Sequence, residues 1–453
     1  MPLPQRWRVL PQTFKFPEPA VRMVKHMEYD VIIVGAGLFG LATAYHIKEL
    51  RPEDEVLVLD RLGGPGQGNT AKSAAMVRSF FYSRTNLALA DTSIEFYRHV
   101  QEELGYDLKL RWIGYLWLLS SAEYEAMRPL LAELGRRGLE YRVLEADHLH
   151  RTLGINIRVS EDEEARLMDL VDVDYGLLVP KAGCVDVDAL VRFYEGEARK
   201  RGVEFRYGVE VKELLVEPKE PLGLPGEPFI WQEARVAGVK TTAGILRARK
   251  TVLATGAWTP MLLDPVGIEC FVKAKKRQIF SIRADTEPLR KLLNTPGYNE
   301  ENTMPFVILP RPKIWVKPVP EEGAFWIGFA DDFPREFKVE DEPTAEEEFY
   351  EYGIYQVLSK YLPQFRGARP YTAWAGLYAY CTLDGQPVVF EEHDVIVVSG
   401  ASGSGVMKAD AVGRIAAALY AGEEYAELYG GEKFRVSDLG VAERRVEPEK
   451  FII

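Results

Sequence analysis

Tyr29-Asp-Val-Ile-Ile-Val-Gly-Ala-Gly-Leu-Phe-Gly40 is the stretch that decides the fold. The run from Tyr29 to Val34 is almost continuously apolar, as expected of a parallel strand covered on both faces. Glycines follow at 35, 37 and 40, and Leu38 to Leu50 reads as a helix that Arg51-Pro52 stops. Glu55-Val-Leu-Val-Leu-Asp60 is the second strand, closing on an acid 20 residues after Gly40. This is the dinucleotide fingerprint in its required strand-turn-helix context. Gly35 allows the tight turn, Gly37 lets the backbone approach a pyrophosphate, and Gly40 lets helix and strand pack closely. The free N–H groups and the helix dipole favour the negative charge, and Asp60 suits ribose hydroxyls. The alternative is a glycine-rich packing turn with no ligand, against which the flanking strand, helix and acid all argue.

Around this unit lies an ordinary globular chain of 453 residues, 47% apolar and 27% charged, long enough for two or three compact units. Its net charge of −12 argues against nucleic acid as a partner. Cys184, Cys270 and Cys381 stand too far apart for a zinc or iron–sulfur spacing, so no metal site is expected and the thiols suit a reduced, cytoplasmic setting. Val31 to Ile47 is too short and too glycine-rich for a membrane span. Residues 1–27 are basic and proline-rich with no signal-peptide core, and are expected to form an arm.

Further on, Leu87 to Val100 repeats at helical spacing up to Gly105, and Trp112 to Leu119, with Gly114 inside it, reads as a strand. A turn at 181–188 leads into a helix through 200, and Val203 to Leu215 alternates like one strand around Gly208. Glu217 to Pro228, with four prolines and two glycines, is a surface turn before strands that finish at Thr251-Val-Leu-Ala-Thr-Gly256. Gln278–Arg283, Phe306–Leu309, Ile314–Lys317 and Ala324–Ala330 suggest an antiparallel sheet. Thr344-x-x-Glu347 reads as a capping box for one helix marked by Phe349, Tyr352, Tyr355, Leu358 and Tyr361. Asp394 to Gly400 is a buried strand and Met407 to Tyr420 a helix.

The fingerprint alone does not separate NAD from FAD. Thr251 to Trp258 and Val397 to Met407 are two further strand-to-glycine passages, and a long, embedded cofactor needs several such crossings. The alternative for Ser399-Gly-Ala-Ser-Gly-Ser-Gly405 is a flexible linker, though strand and helix flank it directly.

Taken together, Gly35 to Gly40, Gly68-Asn-Thr70, Ala254-Thr-Gly-Ala-Trp258, Gly400-x-Ser-Gly-x-Gly405 and the ending Glu449-Lys-Phe-Ile-Ile453 resemble the D-amino-acid oxidase (DAO) family of flavoproteins. That family includes sarcosine oxidases, glycine oxidase and dye-linked proline dehydrogenases, and the resemblance spans about residues 28–453. Gly68-Asn-Thr-x5-Met-Val-Arg-Ser79, Leu104-Gly-Tyr106 and Gly114-Tyr-Leu116 are most similar to the β subunits of sarcosine oxidase and archaeal proline dehydrogenase. A single chain with an N-terminal arm resembles the archaeal dye-linked L-proline dehydrogenases.

The resemblance implies an α/β fold: a Rossmann-type FAD-binding domain (28–95, 183–265 and 373–453) and a second substrate domain built on an antiparallel sheet (96–182 and 266–372). Carried over by position, it puts the pyrophosphate on Gly35, Gly37, Leu38, Phe39 and Gly40, with Gly68, Asn69 and Thr70 beside it. Asp60 would meet the ribose, Arg61 the adenosine and Val211 the adenine. Thr255, Gly256 and Trp258 would meet the chain joining ring and phosphates, and Gly403, Gly405, Val406 and Met407 the flavin edge. A helix N-terminus after Gly405 would stabilise the reduced ring.

Departures from the family narrow the chemistry. Glycine and D-amino-acid oxidases carry a carboxylate-binding arginine in a Gly-Leu-Arg segment, where this chain has Gly376-Leu-Tyr378. Leu377 aligns with the cysteine that binds flavin covalently in monomeric sarcosine oxidases, so FAD is expected to be non-covalent. Trp326 aligns with a lysine that helps oxygen react, which favours a dehydrogenase over an oxidase. Arg78 aligns with the family's substrate-site arginine, and a guanidinium suits a bidentate carboxylate. Its alternative is a structural ion pair. Lys408 is a second candidate cation or a solvated helix residue; Trp326 and Tyr378 wall the pocket or belong to the core. His46 and His99 receive no catalytic role.

The expected activity is oxidation of a secondary amine, L-proline to Δ1-pyrroline-5-carboxylate, by hydride transfer to flavin N5. Electrons would pass to a dye, a quinone or a protein carrier, which leaves room for peripheral membrane association and for a homo-oligomer. The rival readings are an amine or D-amino-acid oxidase using oxygen, and a non-catalytic flavoprotein subunit that relays electrons.

Overall fold

The computed structural model describes residues 29–450, so the arm expected at 1–27 lies outside the described residues. Strand Tyr29–Val34 runs parallel to Val56–Asp60 on one side and to Gly244–Leu253 on the other. Glu204–Tyr207 extends this sheet beyond Val56–Asp60, and Val395–Ser399 extends it beyond Gly244–Leu253, both in parallel. Val31, Ile32 and Ile33 are fully buried, so the unbroken apolar run does mark a strand covered twice. Helices Leu38–Leu50, Val187–Lys200 and Ala409–Ala421 share one hydrophobic core on one face.

A second eight-stranded sheet is mostly antiparallel, with Val272–Arg283 one strand in from its edge, between Thr372–Cys381 and Ala324–Gly328. Its single parallel pair joins Phe306–Ile308 to Tyr115–Leu119. One face packs on the helices near 146–167 and 355–361, burying Leu116, Phe280, Val316 and Phe325. The opposite face looks back toward the first sheet. The mixed α/β architecture with a parallel and an antiparallel sheet is therefore as expected.

Several local readings need correction. Val203–Leu215 is two strands, since Gly208 (φ +68°) breaks the run: Glu204–Tyr207 joins the parallel sheet and Val211–Pro218 an antiparallel ribbon. The strand expected from Trp112 starts at Tyr115, after Gly114 (φ +75°) turns the chain. No capping box forms at Thr344; Glu348 precedes a π turn over Phe349–Ile354, and the α-helix is only Tyr355–Tyr361. Thr372–Cys381 pairs along Val272–Arg283, so the chain returns to the parallel sheet only after Cys381, later than the boundary read at 373. Helix Arg84–Glu102 likewise runs past the boundary read at 95, burying Phe96, Tyr97 and Val100 in the core of the parallel sheet.

Candidate active site

Between the two sheets lies a cavity of about 1510 Å³. At one end it is floored by the first turn of helix Leu38–Leu50. Gly35 (φ +107°) could not carry a side chain, because a Cβ would sit 2.5 Å from the Ala254 carbonyl oxygen. Gly40 is equally fixed by packing, a Cβ there falling 1.9 Å from the Gly35 oxygen. Gly37 differs: its Cβ would meet only the Thr70 hydroxyl, at 3.4 Å, and it lines the open cavity. As the N-cap residue it brings no side chain to the helix end, so the positive end of the dipole faces open space. That cradle fits a pyrophosphate.

Asp60 receives the backbone N–H of Ala36 at 2.7 Å on one carboxylate oxygen and that of Leu62 at 2.9 Å on the other. Each oxygen retains a second acceptor position. Arg61 stacks 4.7 Å from the Trp258 ring and pairs with Asp341 at 3.0 Å, so it bridges to the segment 331–346 across this end of the cavity. Val211, Thr255, Gly256 and Trp258 also line it.

The loop carrying Gly68, Asn69 and Thr70 runs along the cavity. Thr70 Oγ1 accepts from Leu38 N at 3.3 Å, while Trp374 Nε1 donates to Lys72 O at 3.2 Å. On the far side Gly403 (φ +87°) leaves room for the Tyr378 ring, which a Cβ would approach to 2.3 Å. Gly405, Val406 and Met407 line the wall, and Tyr97 Oη holds Val406 O at 2.7 Å. The helix expected directly after Gly405 starts at Ala409, behind a 3-10 turn over Val406–Lys408.

At the opposite end Arg78 is buried, its guanidinium 4.3 Å from the Phe81 ring and 5.6 Å from that of Trp117. Burial lowers its pKa, with Tyr115 and Glu449 acting in the other direction. Lys408 is 1% exposed; its Nζ donates to Asn86 Oδ1 at 2.5 Å and to Gln386 Oε1 at 2.9 Å. Burial and then the neighbouring Arg78 bring its pKa down to about 7. The solvated helix residue that the sequence allowed is thus excluded. Tyr378 is half-buried in the cavity wall, and desolvation there raises its phenol pKa.

All the residues singled out in the sequence line this one cavity except Gly40, which packs behind it, and Trp326. Trp326 shares the sheet face that looks into the cavity but stands too far along its strand. It pairs across to Ser281 and Lys317, its indole N–H reaches Glu322 at 3.0 Å, and its ring packs on Trp374. Gly328, two residues on, leaves space for the cavity-lining Trp315, whose ring a Cβ would approach to 2.3 Å. Moreover, Lys317 Nζ lies 4.5 Å from the Trp326 ring and donates to Ala74 O at 2.8 Å. A buried cation therefore stands beside Trp326, and an indole at that position does not argue against reaction with oxygen.

In place of Trp326, the aromatic wall beside Tyr378 is made by Tyr115, Phe306 and Trp315, with Tyr115 and Phe306 centroids 4.6 Å apart. Sequence reasoning missed these, as it missed Asn86, Gln386 and Glu449. No cysteine lines the cavity among the described residues, and Cys381 is buried outside it.

A family model described as FAD dependent oxidoreductase (DAO) matches residues 30–419. Among curated proteins, FAD-dependent oxidoreductase domain-containing protein 1 of Xenopus laevis is 24% identical over 418 residues, 86% of this chain and 78% of that protein. The sarcosine oxidase subunit beta of Arthrobacter sp is 27% identical over 252 residues, 55% of this chain and 56% of that one, so the match spans about half of each. Among solved structures, L-proline dehydrogenase from P. horikoshii superposes with a TM-score of 0.71 at 20% identity, covering 91% of this chain and 97% of that one. Glycine oxidase from Geobacillus kaustophilus gives 0.66 at 19% identity, covering 87% and 95%. Likeness at these identities concerns the fold.

Proposed function

Because the chain belongs to the DAO family of FAD-dependent oxidoreductases, which act on amino acids or amines, we propose that it is a dehydrogenase of a secondary amino acid, L-proline, forming Δ1-pyrroline-5-carboxylate. The observation that carries this reading is Arg78. A buried guanidinium beside Phe81, Trp117 and Tyr115 suits a small amino acid whose carboxylate needs a bidentate partner and whose ring needs apolar walls. When bound, FAD supplies the acceptor for the hydride leaving the carbon next to nitrogen.

The chain's own groups do the rest. Arg78 fixes the carboxylate, and Tyr115, Phe306 and Trp315 hold the ring and displace water. Orientation between these walls and the Gly403–Met407 segment supplies much of the rate. FAD is held without a covalent bond in this reading, which the absence of a cavity cysteine among the described residues supports. Electrons then leave to a dye, a quinone or a protein carrier. Among the described residues no helix is long and apolar enough to cross a membrane, so a quinone would be met at a membrane surface.

The second reading, an oxidase that reduces oxygen, is favoured by one observation, the buried Lys317 beside Trp326. Anaerobic titration of the yellow protein with L-proline, followed by air, separates the two. Selective bleaching by L-proline that air reverses only slowly is the expected result. Rapid return of colour in air supports the oxidase, and bleaching by sarcosine or D-amino acids but not by L-proline replaces the substrate.

A further inference from the structure

The proline-rich turn between Val211–Pro218 and Ala234–Thr241 ends the antiparallel ribbon in an apolar knob. Leu222 is 47% exposed, Trp231 68%, and Ile230 fully so at 104%. Phe229 stacks on Trp231 with ring centroids 5.7 Å apart. None of the four belongs to the hydrophobic clusters that hold the two sheets together. Burial within the chain therefore does not account for them.

The backbone of this loop is satisfied from within. Pro218, Pro221, Pro225 and Pro228 have no N–H to satisfy. Glu227 turns inward and accepts from Leu222 N at 3.0 Å and Leu224 N at 2.8 Å. Gln232 Oε1 accepts from Phe229 N at 2.7 Å, while Gln232 N donates to Phe229 O and Lys219 N to Glu233 O, both at 2.8 Å. Polar side chains thus point into the loop, and Leu222, Ile230 and Trp231 point out. A protein partner would bring hydrogen bonds of its own; hydrocarbon brings none, so a segment that enters it must be closed on itself in this way.

Area and charge narrow the occupant. The three exposed side chains present roughly half of the about 800 Å² that each side of a standard protein interface buries, too little for a stable second copy. Around them Glu217 pairs with Arg247 and Glu233 with Lys219, and Glu220 has no ion pair among the described residues. The rim carries no positive excess, and the whole chain stands at −12, so an anionic surface would repel it.

We propose that residues 221–231 dock this protein on a zwitterionic lipid surface, with Leu222, Ile230 and Trp231 seated where headgroups meet acyl chains. An indole suits that boundary, since its body is apolar and its one N–H reaches the headgroups. At the base of the ribbon Val211 lines the cavity, and a strand of this length spans about 25 Å, which sets the distance from lipid to cofactor end. The docking does not rest on the amino-acid reading. Of the acceptors that reading leaves open, it favours a quinone dissolved in the same lipid.

The test is sedimentation of the full-length, FAD-loaded protein with phosphatidylcholine vesicles, alongside quenching of its tryptophan fluorescence by phosphatidylcholine brominated in the acyl chains. Wild type should bind and be quenched, and mixing in phosphatidylglycerol should weaken binding at low salt. Trp231→Phe should still bind but lose most of the quenching. Ile230→Ser/Trp231→Ser, whose melting temperature should be unchanged because both side chains are exposed, should lower the partition constant about tenfold or more. Wild type that stays off both vesicle types overturns the proposal, as does binding that the double variant keeps or that appears only with the anionic lipid. A vesicle-free dimer in sedimentation velocity that Ile230→Ser/Trp231→Ser dissolves would also overturn it, since the knob would then cover a second copy. Flavin bleaching by L-proline should be the same in all three proteins, so a failed amino-acid reading leaves this result standing.

Discussion

Asn69 and Leu377 are 308 residues apart in the chain and 2.8 Å apart in space, the backbone N–H of Leu377 donating to Asn69 Oδ1. The bond ties the loop beside the fingerprint helix to the antiparallel sheet. Two others reinforce it, from Trp374 Nε1 to Lys72 O and from Lys317 Nζ to Ala74 O. Residues 69–74 are thus stitched to three points of the roof over the cofactor end.

Replacing Asn69 by Ala leaves the Leu377 N–H without its acceptor. We expect a loss of about 1–3 kcal/mol of stability and faster release of flavin, read by thermal unfolding and by the rise of free-flavin fluorescence. Asn69→Asp keeps an acceptor and should recover most of both.

Gly37 and Gly40 belong to one motif but should fail differently. Gly40→Ala drives a methyl into the Gly35 carbonyl and should cost about 3 kcal/mol or the fold itself. Gly37→Ala meets only Thr70 and should yield a folded, colourless apoprotein. Circular dichroism alongside flavin absorbance distinguishes the two outcomes.

Arg78→Met should keep FAD bound while weakening L-proline by about 100-fold. Arg78→Lys keeps the charge and loses the planar fork, and should fall between Met and wild type. Equal affinity in all three proteins would remove Arg78 from the substrate site.

Glu346 anchors the segment that Asp341 carries across the cavity. Arg335 above all, with Lys276 and Gln278, holds its carboxyl at about 2 instead of the usual 4.5. A depressed carboxyl stabilises the fold above its unfolded value, and that contribution is lost as pH falls from about 4.5 through about 2. The melting temperature of wild type should therefore fall more steeply across this window than that of Glu346→Gln.

The cofactor half of the site was legible because its signals are local. A strand, three glycines and an acid within Tyr29–Asp60 specify a cradle that one helix end completes. The substrate half was not, because Tyr115, Phe306 and Trp315 come from three strands whose registry no single stretch encodes. Trp326 shows the cost of reading a strand without its partners: it has the right face and the wrong place along it. The network joining Glu449, Asn86, Lys408 and Gln386 draws on four distant segments; Lys408 was singled out beside a motif, and Glu449 was read as part of the chain's ending with no role at the site.

Pro448 and Glu449 line the same cavity as Val34 and Gly35, and Glu449 and Glu447 also close the start of helix Arg84–Glu102 through the N–H groups of Tyr82, Ser83 and Arg84. The last described residues are thus shared by the substrate wall and by a helix that packs in the core of the parallel sheet. Loss of residues 447–449 would strip the Asn86 amide and three helix-start N–H groups of their acceptors at once, so damage to the substrate end would also be read as lower stability of the cofactor domain.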